Sequence, residues 1–82
     1  MEGQRDLRSW VEAMARDLVD RADQVSVSEF EDDGVLVFEL AVAPDELGRV
    51  IGRQGRTAQA LRALLEAAGE RDGRSYDLEI VE

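Results

Sequence analysis

The sequence predicts an α+β domain in the order helix, strand, strand, helix, helix, strand, with a three-stranded sheet and its helices packed on one face. Three observations carry this. Apolar residues recur at helical spacing in the Leu7 and Leu61 segments. They alternate with period two in the Val25, Val35 and Tyr76 segments. Glycines and acids punctuate the junctions between them.

From Asp6 to about Val19, Leu7, Trp10, Val11, Met14, Leu18 and Val19 form one apolar stripe, and Asp6 is placed to cap the first helix. Val25-Ser26-Val27-Ser28 alternates as a half-buried strand does. Glu31-Asp32-Asp33-Gly34 reads as a turn, with Gly34 supplying the positive φ that a tight hairpin requires. Val35 to Val42 is the strongest strand. Leu36, Phe38, Leu40 and Val42 make a fully apolar face expected to meet the helices, and Val35, Val37, Glu39 and Ala41 make a mixed, part-exposed one. Ala43-Pro44-Asp45-Glu46 opens a short helix with proline at its first position and acids at the positive end of its dipole. Leu47, Val50 and Ile51 are its apolar residues, and Gly52 ends it. A longer helix is expected from near Arg56 to about Ala68, burying Ala58, Leu61, Leu64, Leu65 and Ala68 and stopping at Gly69. A loop through Arg71-Asp72-Gly73-Arg74 leads to the last strand, where Tyr76, Leu78 and Ile80 alternate with Asp77, Glu79 and Val81.

The chain has 82 residues, the size of one compact domain spanning 1–82 with no room for a second. With neither cysteine nor histidine, it has no disulfide, no thiolate metal site and none of the commonest acid–base or nucleophile pairings. Its many carboxylates read as solvating surface, so no enzyme, metal or other cofactor is expected. The start, MEGQRDLRSW, lacks the apolar stretch of a signal peptide, and no segment approaches the roughly 20 apolar residues that span a bilayer. The expectation is a cytoplasmic protein with no membrane partner.

Net charge is −9, which taken whole argues against nucleic acid. The distribution changes that. Between Leu47 and Leu65 stand Arg49, Arg53, Arg56 and Arg62 with no acid, while the other six arginines share the rest of the chain with all 19 acids. This basic island coincides with the motif Val50-Ile51-Gly52-Arg53-Gln54-Gly55-Arg56-Thr57. Two glycines three apart between helices let backbone run close to a partner. The following helix turns its free N–H groups and positive dipole end toward anything docked there, which favours phosphate. Arg53 and Arg56 add positive charge, with Arg49 and Arg62 steering from the flanks. Gln54 and Thr57 offer neutral hydrogen bonds, and Val50 and Ile51 supply apolar surface beside the loop. Such a loop holds a short single-stranded stretch by its backbone and leaves the bases to an adjoining groove.

The segment ELAVAPDELGRVIGRQGRTAQALRALL and the closing LEIVE resemble the KhpA-type single KH-domain proteins of bacteria, over nearly the whole chain. The resemblance implies a type II KH fold, αββααβ, and RNA binding without catalysis. It also implies a larger KH-containing partner of the KhpB type, RNA chaperoning, and a part in cell-wall and cell-length control. Gly52 and Gly55 match the family's loop glycines, Arg53 and Gln54 its variable pair, and Val50 and Ile51 the aliphatic pair before it. KH domains commonly carry a bulky aliphatic residue soon after the loop. Ala58 followed by Leu61 stands there, implying a shallower groove.

Other readings are weaker. A P-loop needs a glycine where Val50 stands and a lysine where Arg56 stands. A helix-turn-helix DNA binder, with Arg56, Gln59 and Arg62 on its recognition helix, is opposed by flanking strands and an acidic body. A protein-interaction or homodimerisation module with little RNA binding of its own stays open, with Trp10 and the Val35/Val37 face as its surface.

Overall fold

A computed structural model describes residues 6–81. The first helix, α1 (Leu7–Leu18), starts at Asp6, whose carboxylate accepts from the Ser9 N–H at 3.2 Å and the Ser9 hydroxyl at 2.7 Å. β1 (Ser26–Asp32) and β2 (Val35–Ala41) form an antiparallel hairpin closed by Asp33-Gly34, both at positive φ (55° and 85°). That two-residue geometry matches the right-handed strand twist. A 3-10 turn, Pro44–Glu46, leads into α2 (Leu47–Ile51), and α3 (Arg56–Asp72) follows the glycine loop. β3 (Ser75–Val81) then pairs parallel to β2, giving the sheet order β1-β2-β3. The α+β class and the αββααβ order agree with the sequence.

The register sorts the sheet into two faces. Val27, Leu40 and Ile80 stand in one row, and Phe38 stands beside Leu78 in the next. These residues meet Leu7 and Val11 of α1, Val50 of α2, and Leu61 and Leu65 of α3 in one apolar core. The opposite face, through Phe30, Val37 and Asp77, carries no helix among the described residues.

Several expectations need correcting. Glu31 and Asp32 belong to β1 rather than to the turn, because both keep their pairing with β2. α3 does not stop at Gly69 but runs four-fifths of a turn further, to Asp72, where left-handed Gly73 ends it. Gly69 serves packing instead: a Cβ there would lie 2.4 Å from the Arg74 carbonyl oxygen, which folds back over it. Leu64, expected in the buried stripe, is 51 % exposed. Val37, expected to be part-exposed, is buried. Asp45 and Glu46 do stand in the first turn after Pro44, as expected, but each also has a distant partner. Asp45 pairs with Arg21, and Glu46 turns inward, only 5 % exposed, to accept from the N–H groups of Asp20 (2.8 Å) and Arg21 (3.2 Å).

That carboxylate pins the connection from α1 to β1 onto the start of α2. Glu46→Ala removes the acceptor from two backbone donors at once and is expected to lower stability by about 1–3 kcal/mol in urea titrations. Glu46→Gln, which keeps an acceptor, should recover part of the loss.

The far end of α3 is tied differently. The Tyr76 hydroxyl donates to the Asp72 carboxylate at 2.8 Å, and this bond, first among its causes, holds the Asp72 pKa below the ordinary 3.8. A carboxylate lowered in the fold lends stability above its unfolded pKa and loses it as pH falls through the folded value. Tyr76→Phe is therefore expected to lower Tm at pH 7, with the deficit closing as the pH drops below 3.8. Thermal melts of both proteins across that range check it.

Candidate nucleic-acid interface

The loop between α2 and α3 has an unusual backbone. Gly52 (φ 81°, ψ 169°), Gln54 (φ 57°) and Gly55 (φ 75°) all occupy positive-φ conformations within four residues. The two glycines are required for different reasons. A Cβ on Gly52 would lie 2.3 Å from the Thr57 side-chain oxygen and 2.8 Å from the Thr57 backbone nitrogen, so this glycine lets the start of α3 fold against the loop. A Cβ on Gly55 would meet nothing within 4 Å, so its outer side is open for approach. Gln54, a left-handed residue with a Cβ, holds a conformation unfavourable by about 1 kcal/mol, of the kind that concentrates at functional sites.

The side chains divide just as clearly. Arg53, Gln54 and Arg56 are exposed at the loop, and Arg56 donates to the Gln54 side-chain Oε1 at 3.5 Å. Among the described residues, Arg53 and Arg56 are the two arginines held by neither a carboxylate nor a backbone carbonyl. No side chain caps the start of α3, and its first turn holds no acid. Two guanidinium groups bound to no acid and a helix start without a side-chain cap thus converge on one exposed loop, the arrangement an oxyanion calls for.

The remaining candidates are not all brought there. Ile51 is 37 % exposed beside the loop and offers apolar surface, whereas Val50 is 0 % exposed and belongs to the core. Thr57 is half-buried against Gly52. Arg49 lies on the flank, 3.3 Å from the Asp20 carboxylate. Arg62 donates from Nε and Nη2 to the Leu78 carbonyl, at 3.2 and 3.1 Å, and so engages the edge strand β3. The Leu78 N–H is taken by Asp77 at 2.8 Å. Ala58 and Leu61 are both buried and line the core.

The KhpA/KhpB KH-domain model matches residues 8–80, nearly all of the described chain and the whole of the loop. The chain belongs to this KH family. Its αββααβ order with a mixed sheet is the type II KH fold. Proteins called RNA-binding protein KhpA are similar throughout. That of Aquifex aeolicus is 50 % identical over 76 residues, covering 93 % of this chain and 96 % of its own. That of Halalkalibacterium halodurans is 46 % identical over 76 residues, 93 % of this chain and 100 % of its own. The Treponema pallidum protein is 42 % identical over 69 residues, 84 % of this chain and 86 % of its own.

Glu46 and the two flanking arginines are where spacing misleads for this KhpA/KhpB-type domain. Their partners lie 16 to 29 residues away in sequence, and no local pattern encodes such contacts.

Proposed function

We propose that this protein binds a short single-stranded stretch of RNA at the Gly52–Gly55 loop and carries out no chemistry on it. The observation that carries the reading is the pair of arginines bound to no acid among the described residues, Arg53 and Arg56, at the start of α3 in a chain with 19 acids. Elsewhere in the described chain acids have claimed the arginines, apart from Arg62 on its carbonyl. Backbone phosphate would sit against Gly55 at the positive end of the α3 dipole, and Ile51 would offer apolar surface to an unstacked base. The similarity to proteins called RNA-binding supports the same reading.

With Arg49 and Arg62 already engaged, ionic contact rests on two side chains. The slope of log affinity against log salt should then be about −1.4 for a single strand. Binding this modest gains from linking sites, so we further propose that the protein works with a larger KhpB-type KH protein as an RNA chaperone in the cytoplasm. Cell-wall and cell-length control is the wider role that family resemblance suggests.

Arg53→Asp with Gln54→Asp is expected to abolish RNA crosslinking while leaving the circular dichroism spectrum unchanged. Both side chains are exposed, and aspartate tolerates the left-handed conformation at position 54. Crosslinking of the double variant at the wild-type level would remove the loop from consideration.

One observation favours a second reading, that of a protein-interaction or dimerisation module. Leu7, Trp10, Leu65 and Ala68 join exposed Leu64 around an open apolar cleft of about 380 Å³ between α1 and α3. An association that survives RNase in a pull-down would point to this surface.

A further inference from the structure

We propose that the open face of the sheet, opposite the helices, is a docking surface for a basic segment of another protein that also carries apolar side chains. The register places Phe30, Val37 and Asp77 in one row across the three strands and sets Glu39 directly beside Glu79 in the next. Asp32 extends the same face at the hairpin end. None of the three strands contains a basic residue, so the face has one sign of charge throughout. Phe30 is 42 % exposed on the edge strand β1, next to the buried Val37 of the central strand.

Two features of this face are unfavourable in the isolated chain. Like charges facing each other on neighbouring strands repel, and an aromatic ring stands in water. A partner bearing arginine or lysine beside an apolar side chain relieves both at once. The charge also decides against the other occupants. RNA is repelled by four carboxylates, and a second copy would set acid against acid. The loop with Arg53 and Arg56 belongs to the helical layer, so this surface is independent of the RNA reading.

The experiment uses the isotope-labelled whole chain titrated with a short synthetic peptide of alternating arginine and valine, followed by NMR. Saturable shifts are expected at Phe30, Val37, Glu39 and Glu79. Glu39→Gln with Glu79→Gln should weaken the peptide by about three- to tenfold, the scale of two exposed ion pairs. Asp17→Asn with Glu66→Gln, exposed acids on the helical layer, should leave affinity unchanged. The proposal is overturned if both pairs weaken the peptide equally, which marks diffuse attraction to an acidic protein. It is overturned too if no saturable binding appears, or if an alternating glutamate–valine peptide binds as well. The Arg53→Asp, Gln54→Asp variant should bind the peptide as the wild type does, so the two readings fail separately.

Discussion

Phe38→Ala is expected to lower unfolding free energy by about 3–5 kcal/mol, the largest stability effect of any single change considered for this protein. Phe38 stands on the central strand, fully buried, with its ring tilted 53° against Tyr76 at 6.0 Å between centroids. Its removal takes apolar surface out of a core shared by all three helices and leaves a void that the paired strands on both sides hold open. A domain of this length has a total stability of only about 4–12 kcal/mol. The variant should therefore unfold at much lower urea, and a substantial unfolded fraction in water is expected. Phe38→Leu, which keeps most of the volume, should lose less than half as much. Chemical denaturation of the two variants measures both, and a loss under about 1.5 kcal/mol for the alanine variant would contradict the packing described.

The second large effect separates two glycines that look alike in the motif. Gly52→Ala is expected to be unfavourable by about 3 kcal/mol, since φ 81° with ψ 169° is a region that essentially only glycine enters. The added methyl also meets the Thr57 backbone nitrogen at 2.8 Å, and a backbone atom has little room to give. Gly55→Ala lies in the ordinary left-handed region with open space around it, so about 1 kcal/mol is expected. Urea titrations of the two variants should therefore differ clearly. RNA binding should be the more sensitive readout for Gly55→Ala, because its methyl would project into the space assigned to backbone phosphate. Equal destabilisation by the two substitutions would mean the loop is not held as described.

The architecture was legible where a side chain's fate depends on its near neighbours. The stripe from Leu7 to Leu18, the alternation along β2 and β3, and the Asp33-Gly34 turn are all local, and each element formed where its pattern placed it. The second half of β1 was less legible for a physical reason. An edge strand solvated on both faces needs no alternation, so Glu29, Glu31 and Asp32 look like loop residues while still pairing with β2. Gly69 and Gly73 raise another ambiguity, since a glycine that ends a helix and one that admits a neighbouring carbonyl are the same letter.

The loop itself was legible as a motif, yet its members were not separable. Val50 and Ile51 are adjacent aliphatic residues, and only the rotation of α2 against the core sends one inward and leaves the other at the surface. The four arginines of the basic island likewise look equivalent in sequence. Contacts with Asp20 and Leu78, far along the chain, engage Arg49 and Arg62 and leave Arg53 and Arg56 available.

The arginine on Leu78 has a consequence for how this molecule behaves in a crowded solution. A free strand border invites a stranger's backbone to continue the ladder, which is the first step toward fibrils. At the midpoint of β3 the border is closed, because Asp77 takes the hydrogen of Leu78 and Arg62 takes its oxygen. An incoming chain would find the sequence of rungs interrupted there, so growth of the sheet past β3 is opposed at that rung.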